Sequence, residues 1–230
     1  MSKTAQVDFN KKWRAKEYLQ AFYATNTVCT SEKLSLQYLV DFLKKENKVF
    51  DLALDVGSGP TIHQIVPLIP YVKELHVSDF MQDNLEEIRA FLSDESSAHN
   101  WDVYIQYVLD LEGKGEMIEQ RKKTMKKIIT QFLPIDIRKK HPLNTKKTYP
   151  LVTSFYCADS ITNDKKLWEC YVKNIFTLVK PGGIILLEAL RNSDGYQVAK
   201  NHFPSAHINE HDFAILFANS KEFDKKSIDK

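Results

Sequence analysis

The sequence predicts an α/β protein whose mostly parallel sheet carries helices on both faces and ends in an antiparallel C-terminal hairpin. Two observations lead there. Segments with apolar residues at helical spacing alternate with short apolar runs, the order expected of strands joined by crossover helices. In addition, the first apolar run, residues 52–60 (LALDVGSGP), ends in a glycine turn, and the second, residues 74–80 (ELHVSDF), ends in an acid 22 positions beyond Gly57. Strand, glycine turn, helix, strand and acid together make a βαβ unit that holds a ligand at the carboxyl ends of its strands.

The elements follow in order. Residues 34–45 place Leu34, Leu36, Leu39, Val40, Phe42 and Leu43 at helical spacing ahead of the first strand. A short helix at 62–68 leads to the second strand, and a helix at 83–92 follows it. Residues 103–111 (VYIQYVLDL) alternate like a third strand. A long basic helix at 116–132 precedes a strand-like FLP, and residues 149–161 supply a fourth strand with a polar end. An amphipathic helix at 167–179 is expected to stop at Pro181-Gly182-Gly183, before the most apolar strand, GIILLEAL. Residues 196–203 read as a last short helix. Residues 207–220 read as two strands around an Asn-Glu-His-Asp turn, giving a hairpin over 206–219 at the sheet edge.

The 230 residues suit one domain, and 43% hydrophobic with 27% charged residues is ordinary for a soluble protein. No apolar run approaches the ~18 residues needed to span a bilayer, and the N-terminus lacks a secretory apolar stretch. A cytoplasmic location is expected. The cysteines, Cys29, Cys157 and Cys170, are scattered, odd in number and not at metal-ligand spacing, which excludes a disulfide framework and a zinc site. Cys157 and Cys170 read as small buried apolar residues, and no metal is expected. The net charge of +2 conceals a basic stretch between Lys114 and Lys147, with eleven Lys or Arg against three acids. Lysine-rich helical runs without interleaved aromatics are mostly solvated faces; docking of RNA or protein there is the alternative.

The turn Asp55-Val56-Gly57-Ser58-Gly59-Pro60-Thr61 narrows the ligand. Glycines let backbone N–H groups approach it closely. Pro60 stands where a phosphate-binding loop needs a free N–H, and the Lys-Ser/Thr pair of a P-loop is missing. The third glycine of a nicotinamide-cofactor fingerprint is missing too. A cofactor with an amino-acid tail and a sulfonium, and no phosphate, fits better. Asp79 is placed to accept hydrogen bonds from two ribose hydroxyls.

At this point LDVGSGPTIHQI, VSDFMQDNLEEI, YVLDLEG and LVKPGGIILLEAL resemble the family containing nicotinamide, phenylethanolamine and indolethylamine N-methyltransferases and thioether S-methyltransferase, over roughly residues 9–205. The resemblance implies a Rossmann-like class I methyltransferase that uses S-adenosyl-L-methionine, releases S-adenosyl-L-homocysteine and methylates a small molecule, an amine or ring nitrogen. By position it implies that Gly57, Ser58, Gly59 and Thr61 face the methionine end. It also implies that Asp79, Phe80 and Asn84 hold the ribose and adenosine, and that Asp136 and Ile137 meet the adenine amine. Tyr18 and Tyr23 resemble tyrosines that close over the cofactor from an N-terminal lid at 1–33; read alone, they make a helix packing stripe. His63 stands where family members commonly have a tyrosine.

On the substrate side, Asp159 and Glu188 end the fourth and fifth strands, where family members place acids that grip an amine. Two carboxylates there would attract a cation and take up its proton. Phe155 and Tyr156 offer a stacking wall, and Tyr196 and Ser205 resemble pocket-lining positions. His207 and His211 are weaker candidates for a base, in a turn-rich segment. The expected partner is a small-molecule amine or N-heterocycle, with no membrane and a monomeric chain. After Ser205 the family has a further helix and a longer hairpin. A more open pocket, or a non-enzymatic adenosylmethionine-binding protein, is the alternative suggested by that shortening.

Overall fold

The structure is a computed structural model that describes residues 8–220; the part of the expected lid at 1–7 lies outside them. Strand β1 (Ala53–Val56) occupies the centre of a five-stranded parallel sheet. The chain builds outward from it through β2 (Leu75–Asp79) and β3 (Ile129–Pro134), then crosses back to β4 (Tyr149–Phe155) and β5 (Val179–Glu188), giving the order β3-β2-β1-β4-β5. The direction of winding reverses between β1 and β4, which opens a crevice at the carboxyl ends of those two strands.

Alternation along β1 divides the core. Ala53 packs with the helices of one face, α3 (Thr30–Glu46), α4 (Gln82–Leu92), α5 (Asp102–Glu112) and α6 (Ile118–Ile128). Leu54 and Val56 pack with those of the other, α7 (Lys165–Phe176) and α8 (Glu210–Asn219). The helix expected at 62–68 is a 3-10 turn, Val66–Tyr71, with Pro67 and Pro70 inside it. Proline lacks the N–H that an α-helix needs there.

Residues 103–111 form α5 and not a strand. Their buried residues, Tyr104, Ile105, Val108, Leu109 and Glu112, recur on one helical face. Asn100 Oδ1 accepts the Asp102 N–H at 2.9 Å and Gly113 ends the helix at φ +69°. The alternation that suggested a strand yields to burial along one helical face. Next to it, Arg121 on α6 is 1% exposed and bonds both Glu112 and Glu116 and the Val66 carbonyl. Helix α6 gives way at Ile129 to β3, which begins three residues ahead of the FLP expected as strand-like. Those residues are taken by the ladder with β2.

Pro181-Gly182-Gly183 lies inside β5 and does not stop α7, which ends at Phe176. The β4–β5 register shifts between Tyr149 and Leu151, and a Cβ on Gly183 would meet the Lys180 and Pro150 carbonyls at 2.8 and 3.0 Å. The glycines serve a bulge.

The C-terminal expectations exchange places. Residues 196–203 fall in an antiparallel hairpin, β6 (Gly195–Val198) and β7 (Asn201–Pro204), a separate two-stranded sheet and not an edge of the main one. Residues 210–219, expected within a hairpin, form α8. The Asn-Glu-His-Asp stretch is a capping box: Asn209 Oδ1 accepts the His211 N–H, and Asp212 accepts the Asn209 N–H. Phe213 and Phe217 then pack on Trp168 and Phe176 of α7.

The hairpin packs against the N-terminal segment, α1 (Phe9–Lys12) and α2 (Ala15–Phe22), through a cluster of Trp13, Phe203, Phe9 and Tyr196. Cys157 is half-buried, and Cys170, expected inside, is exposed. Among the described residues no helix is long and apolar enough to cross a membrane.

Candidate active site

At the end of β1 the chain turns through Gly57 and Gly59, both left-handed at φ +71° and +60°. At Gly57 a side chain is excluded twice over, since its Cβ would lie 2.2 Å from Cys157 Sγ. Gly57 N–H donates to the Ser78 carbonyl, and Thr61 Oγ1 donates to the Ser58 carbonyl at 2.9 Å, which fixes the loop against β2.

Asp79 closes the other side of this loop. Its Oδ1 accepts the Met81 N–H and the Asn84 amide at 2.7 and 2.9 Å, and its Oδ2 accepts the Gly59 N–H at 2.9 Å. Burial pushes its pKa up, against the pull of those three bonds. Asn84 in turn accepts Trp13 Nε1 at 2.7 Å, so the N-terminal segment is tied directly to the carboxylate.

Around these groups lies a cavity of about 620 Å³, within the range of small-molecule sites. It brings together Gly57, Ser58, Gly59, Thr61, Asp79, Phe80, Asn84, Asp136 and Ile137 with Tyr18 and Tyr23 of the N-terminal segment. Burial pushes the Tyr18 phenol up to about 12. At the outer edge, Asp136 accepts both Nε and Nη2 of Arg138, at 2.7 and 2.9 Å, which lowers its pKa. The Arg138 guanidinium also lies 4.4 Å over the Phe80 ring.

The opposite end of the cavity is walled by Phe155, Tyr156 and Tyr196. Tyr156 has φ +52°, a costly conformation for an aromatic residue. Its N–H donates to the Glu188 carbonyl and its hydroxyl donates to Glu188 Oε1 at 2.6 Å, which hold the ring in place. Tyr196 donates to the Ser160 carbonyl at 3.3 Å.

Six residues named from the sequence stand outside the lining. Asp55 is sealed under the loop, accepting Thr153 Oγ1 at 2.5 Å. Glu188 lies behind Tyr156 and also accepts Ser35 Oγ at 2.5 Å and Gln64 at 3.4 Å. Asp159 is 1% exposed and accepts the Leu190 N–H at 3.0 Å; burial raises its pKa to about 6. Ser205 is 1% exposed. Asp159 and Glu188 instead share a void of about 10 Å³. His207 is exposed and paired with Asp194, and His211 opens α8.

The sequence did not single out Trp13, Glu32, Gln64 or Arg138, and read Cys157 only as a small buried apolar residue; all five line the cavity. Arg138, two residues past Asp136, was open to notice as its partner. Glu32 was not: only folding brings α3 against His63, whose Nε2 lies 2.9 Å from Glu32 Oε2.

This architecture, a doubly wound sheet with a cavity at the switch point, is the fold of solved S-adenosylmethionine-dependent methyltransferases. Magnesium protoporphyrin IX methyltransferase from Synechocystis PCC 6803, solved with bound S-adenosylmethionine, superposes with a TM-score of 0.54 at 10% identity, over 92% of this chain and 81% of that one. The chain belongs to the NNMT/PNMT/TEMT family, whose model matches residues 2–219. It is 29% identical to nicotinamide N-methyltransferase of Homo sapiens, over 88% of this chain and 79% of the relative. It is 32% identical to phenylethanolamine N-methyltransferase of Macaca mulatta, over 61% of this chain and 51% of the relative, so that match spans about half of the relative's length.

Proposed function

We propose that this protein methylates the nitrogen of a small-molecule amine or N-heterocycle. The observation that carries the reading is the Asp79 carboxylate, buried yet bordering a cavity whose far end is walled by Phe155, Tyr156 and Tyr196. Its three donors fix both oxygens while leaving acceptor capacity toward two ribose hydroxyls. The backbone at Gly57–Gly59 has room for the amino-acid tail, since a Cβ on Gly59 would meet only Thr61 Oγ1, at 3.9 Å. Asp136 and Ile137 border the place for adenine, and Trp13, Tyr18 and Tyr23 cover the cavity from above.

When bound, S-adenosylmethionine supplies a methyl group already activated on a sulfonium. The protein's task is then to hold the acceptor nitrogen in line with that methyl and to keep water out. Tyr156 and Tyr196 are fixed by their hydroxyl bonds before any acceptor arrives. Glu188 serves this wall through Tyr156. Asp159 does so by tying the amide of Leu190, which itself lines the cavity. No Lys of the 114–147 stretch lines the cavity, and Lys122 and Lys126 are paired with acids, which supports a small acceptor over a nucleic acid. Three unpaired cysteines are in keeping with a reducing compartment such as the cytoplasm.

The test is methyl transfer from labelled S-adenosylmethionine to arylalkylamines, pyridines, total RNA and a protein mixture. Label in an amine or pyridine is the expected result. Label confined to RNA or protein would overturn the proposal.

A further inference from the structure

Among the described residues that line the cavity, Arg138 is the one Lys or Arg. It stands in the loop after β3, and its guanidinium is engaged on two sides. Against Asp136, Nε donates to Oδ1 at 2.7 Å and Nη2 to Oδ2 at 2.9 Å, and the Arg138 backbone N–H donates to Oδ1 at 3.2 Å. Against Phe80, the residue that follows β2, the guanidinium lies 4.4 Å over a ring that is 42% exposed. One side chain thus ties the loop after β3 to the loop after β2, beside Asp79.

The backbone beneath this clamp is held by other groups. Ile135 N–H donates to the Asp79 carbonyl, Asp136 N–H donates to the Pro142 carbonyl, and the Ile137 carbonyl accepts the Asn174 amide at 2.8 Å. What depends on Arg138 is therefore the direction of the Asp136 side chain. A carboxylate has room for about four hydrogen bonds. Oδ1 takes two from Arg138 and Oδ2 takes one, while the Lys139 ammonium lies 3.9 Å from Oδ2, outside bonding distance. Oδ2 thus keeps an open acceptor position on a residue that borders the cavity. The guanidinium holds the Asp136 carboxyl below the usual carboxylate range, so at neutral pH it accepts and does not donate. A partly exposed ion pair adds little to stability, but a bidentate fork fixes geometry.

We propose that Arg138 is a positioning residue for the nucleobase, and that by aiming Asp136 at the 6-amine of adenine it makes the cavity selective for adenosyl over inosyl compounds. The inference rests on the proposed function, in which Asp136 and Ile137 border the place for adenine, and adds what sets the direction of the carboxylate. The 6-amine donates to Oδ2. Hypoxanthine carries a carbonyl at the same position, which sets acceptor against acceptor and leaves the carboxylate without that bond. Stacking on Phe80 limits the swing of the guanidinium and keeps its fork against Asp136. A lysine in its place keeps the charge but supplies neither the fork nor the stack.

The experiment titrates S-adenosylhomocysteine and S-inosylhomocysteine calorimetrically into wild-type protein, Arg138→Lys, Arg138→Ala, Asp136→Asn and the double variant Asp136→Asn with Arg138→Ala. Wild type is expected to prefer the adenosyl compound by about tenfold or more, the scale of one hydrogen bond to a charged group. Both Arg138 variants should lose most of that preference, Arg138→Lys included, although it keeps the charge. Their thermal unfolding without nucleoside should match that of the wild type, as expected for a partly exposed pair. Asp136→Asn should lose the preference as well, and adding Arg138→Ala to it should change the adenosyl-to-inosyl ratio no further, because Arg138 acts through Asp136. A merely structural role would weaken both nucleosides alike and leave the ratio intact. A wild-type ratio in Arg138→Lys and Arg138→Ala, a further loss in the double variant, or equal affinity of wild type for the two nucleosides would overturn the inference and leave the methyltransferase reading in place. Failure of wild type to bind S-adenosylhomocysteine would overturn both.

Discussion

At the scale of single residues, the site is built from carboxylates in unequal surroundings. Asp79 and Asp159 are both buried, but Asp79 borders the large cavity while Asp159 faces a void with room for about one water. The raised pKa of Asp159, about 6 against an ordinary 3.8, makes its ionisation unfavourable in the folded state. Its contribution to stability is therefore present below pH 4 and is lost as pH rises through 6. Asp159→Asn keeps an acceptor for the Leu190 N–H and cannot ionise. Thermal unfolding from pH 4 to 7 should show wild type losing about 2–3 kcal/mol relative to this variant, from a shift of about two units. Parallel pH profiles for the two proteins would contradict that account. Gly57, Gly59 and Asp79 were legible because each belongs to a local pattern whose spacing has a physical meaning. Trp13 and Glu32 were not, since their places depend on Asn84 and His63, 71 and 31 positions away.

At the scale of elements, legibility followed how far local signals exceeded tertiary demands. Strands β1 and β2, α4 and the apolar part of β5 read correctly, because their hydrophobic period and turn residues agree. Helix α5 was misread because a helix that buries Tyr104, Ile105, Val108 and Leu109 together shows little polar contrast. The hairpin and α8 exchanged places for a different reason. Asn209-Glu210-His211-Asp212 has the composition of a turn, yet its side chains bond backward and forward as a cap. Asn209→Ala is expected to destabilise α8 by about 1 kcal/mol, the usual worth of such a cap, read as a lowered urea midpoint with unchanged slope. A midpoint equal to wild type would mean that packing of Phe213 and Phe217 on α7 alone specifies the helix.

For the whole molecule, the reversal of strand order places the crevice, and the two ends of the chain cover it. The N-terminal segment meets the β6–β7 hairpin through Trp13, Tyr196 and Phe203, so the roof of the cavity is made by residues far apart in sequence. The same Trp13 donates to Asn84, which donates to Asp79, so two hydrogen bonds tie the roof to the carboxylate. The fold class was legible from the alternation of elements, and the cofactor class from the glycine turn and the acid after it. The enclosure of the acceptor end was not, because it depends on contacts that no local spacing encodes. The central claim is that this cavity binds S-adenosylmethionine with Asp79 as its ribose acceptor. Calorimetric titration of wild type and Asp79→Ala with S-adenosylmethionine, S-adenosylhomocysteine and NAD tests it most directly. The account predicts binding of both adenosyl compounds and not NAD, weakened by about 1–3 kcal/mol in the variant. Absence of binding by wild type, or an unchanged affinity in a folded Asp79→Ala protein, would contradict it.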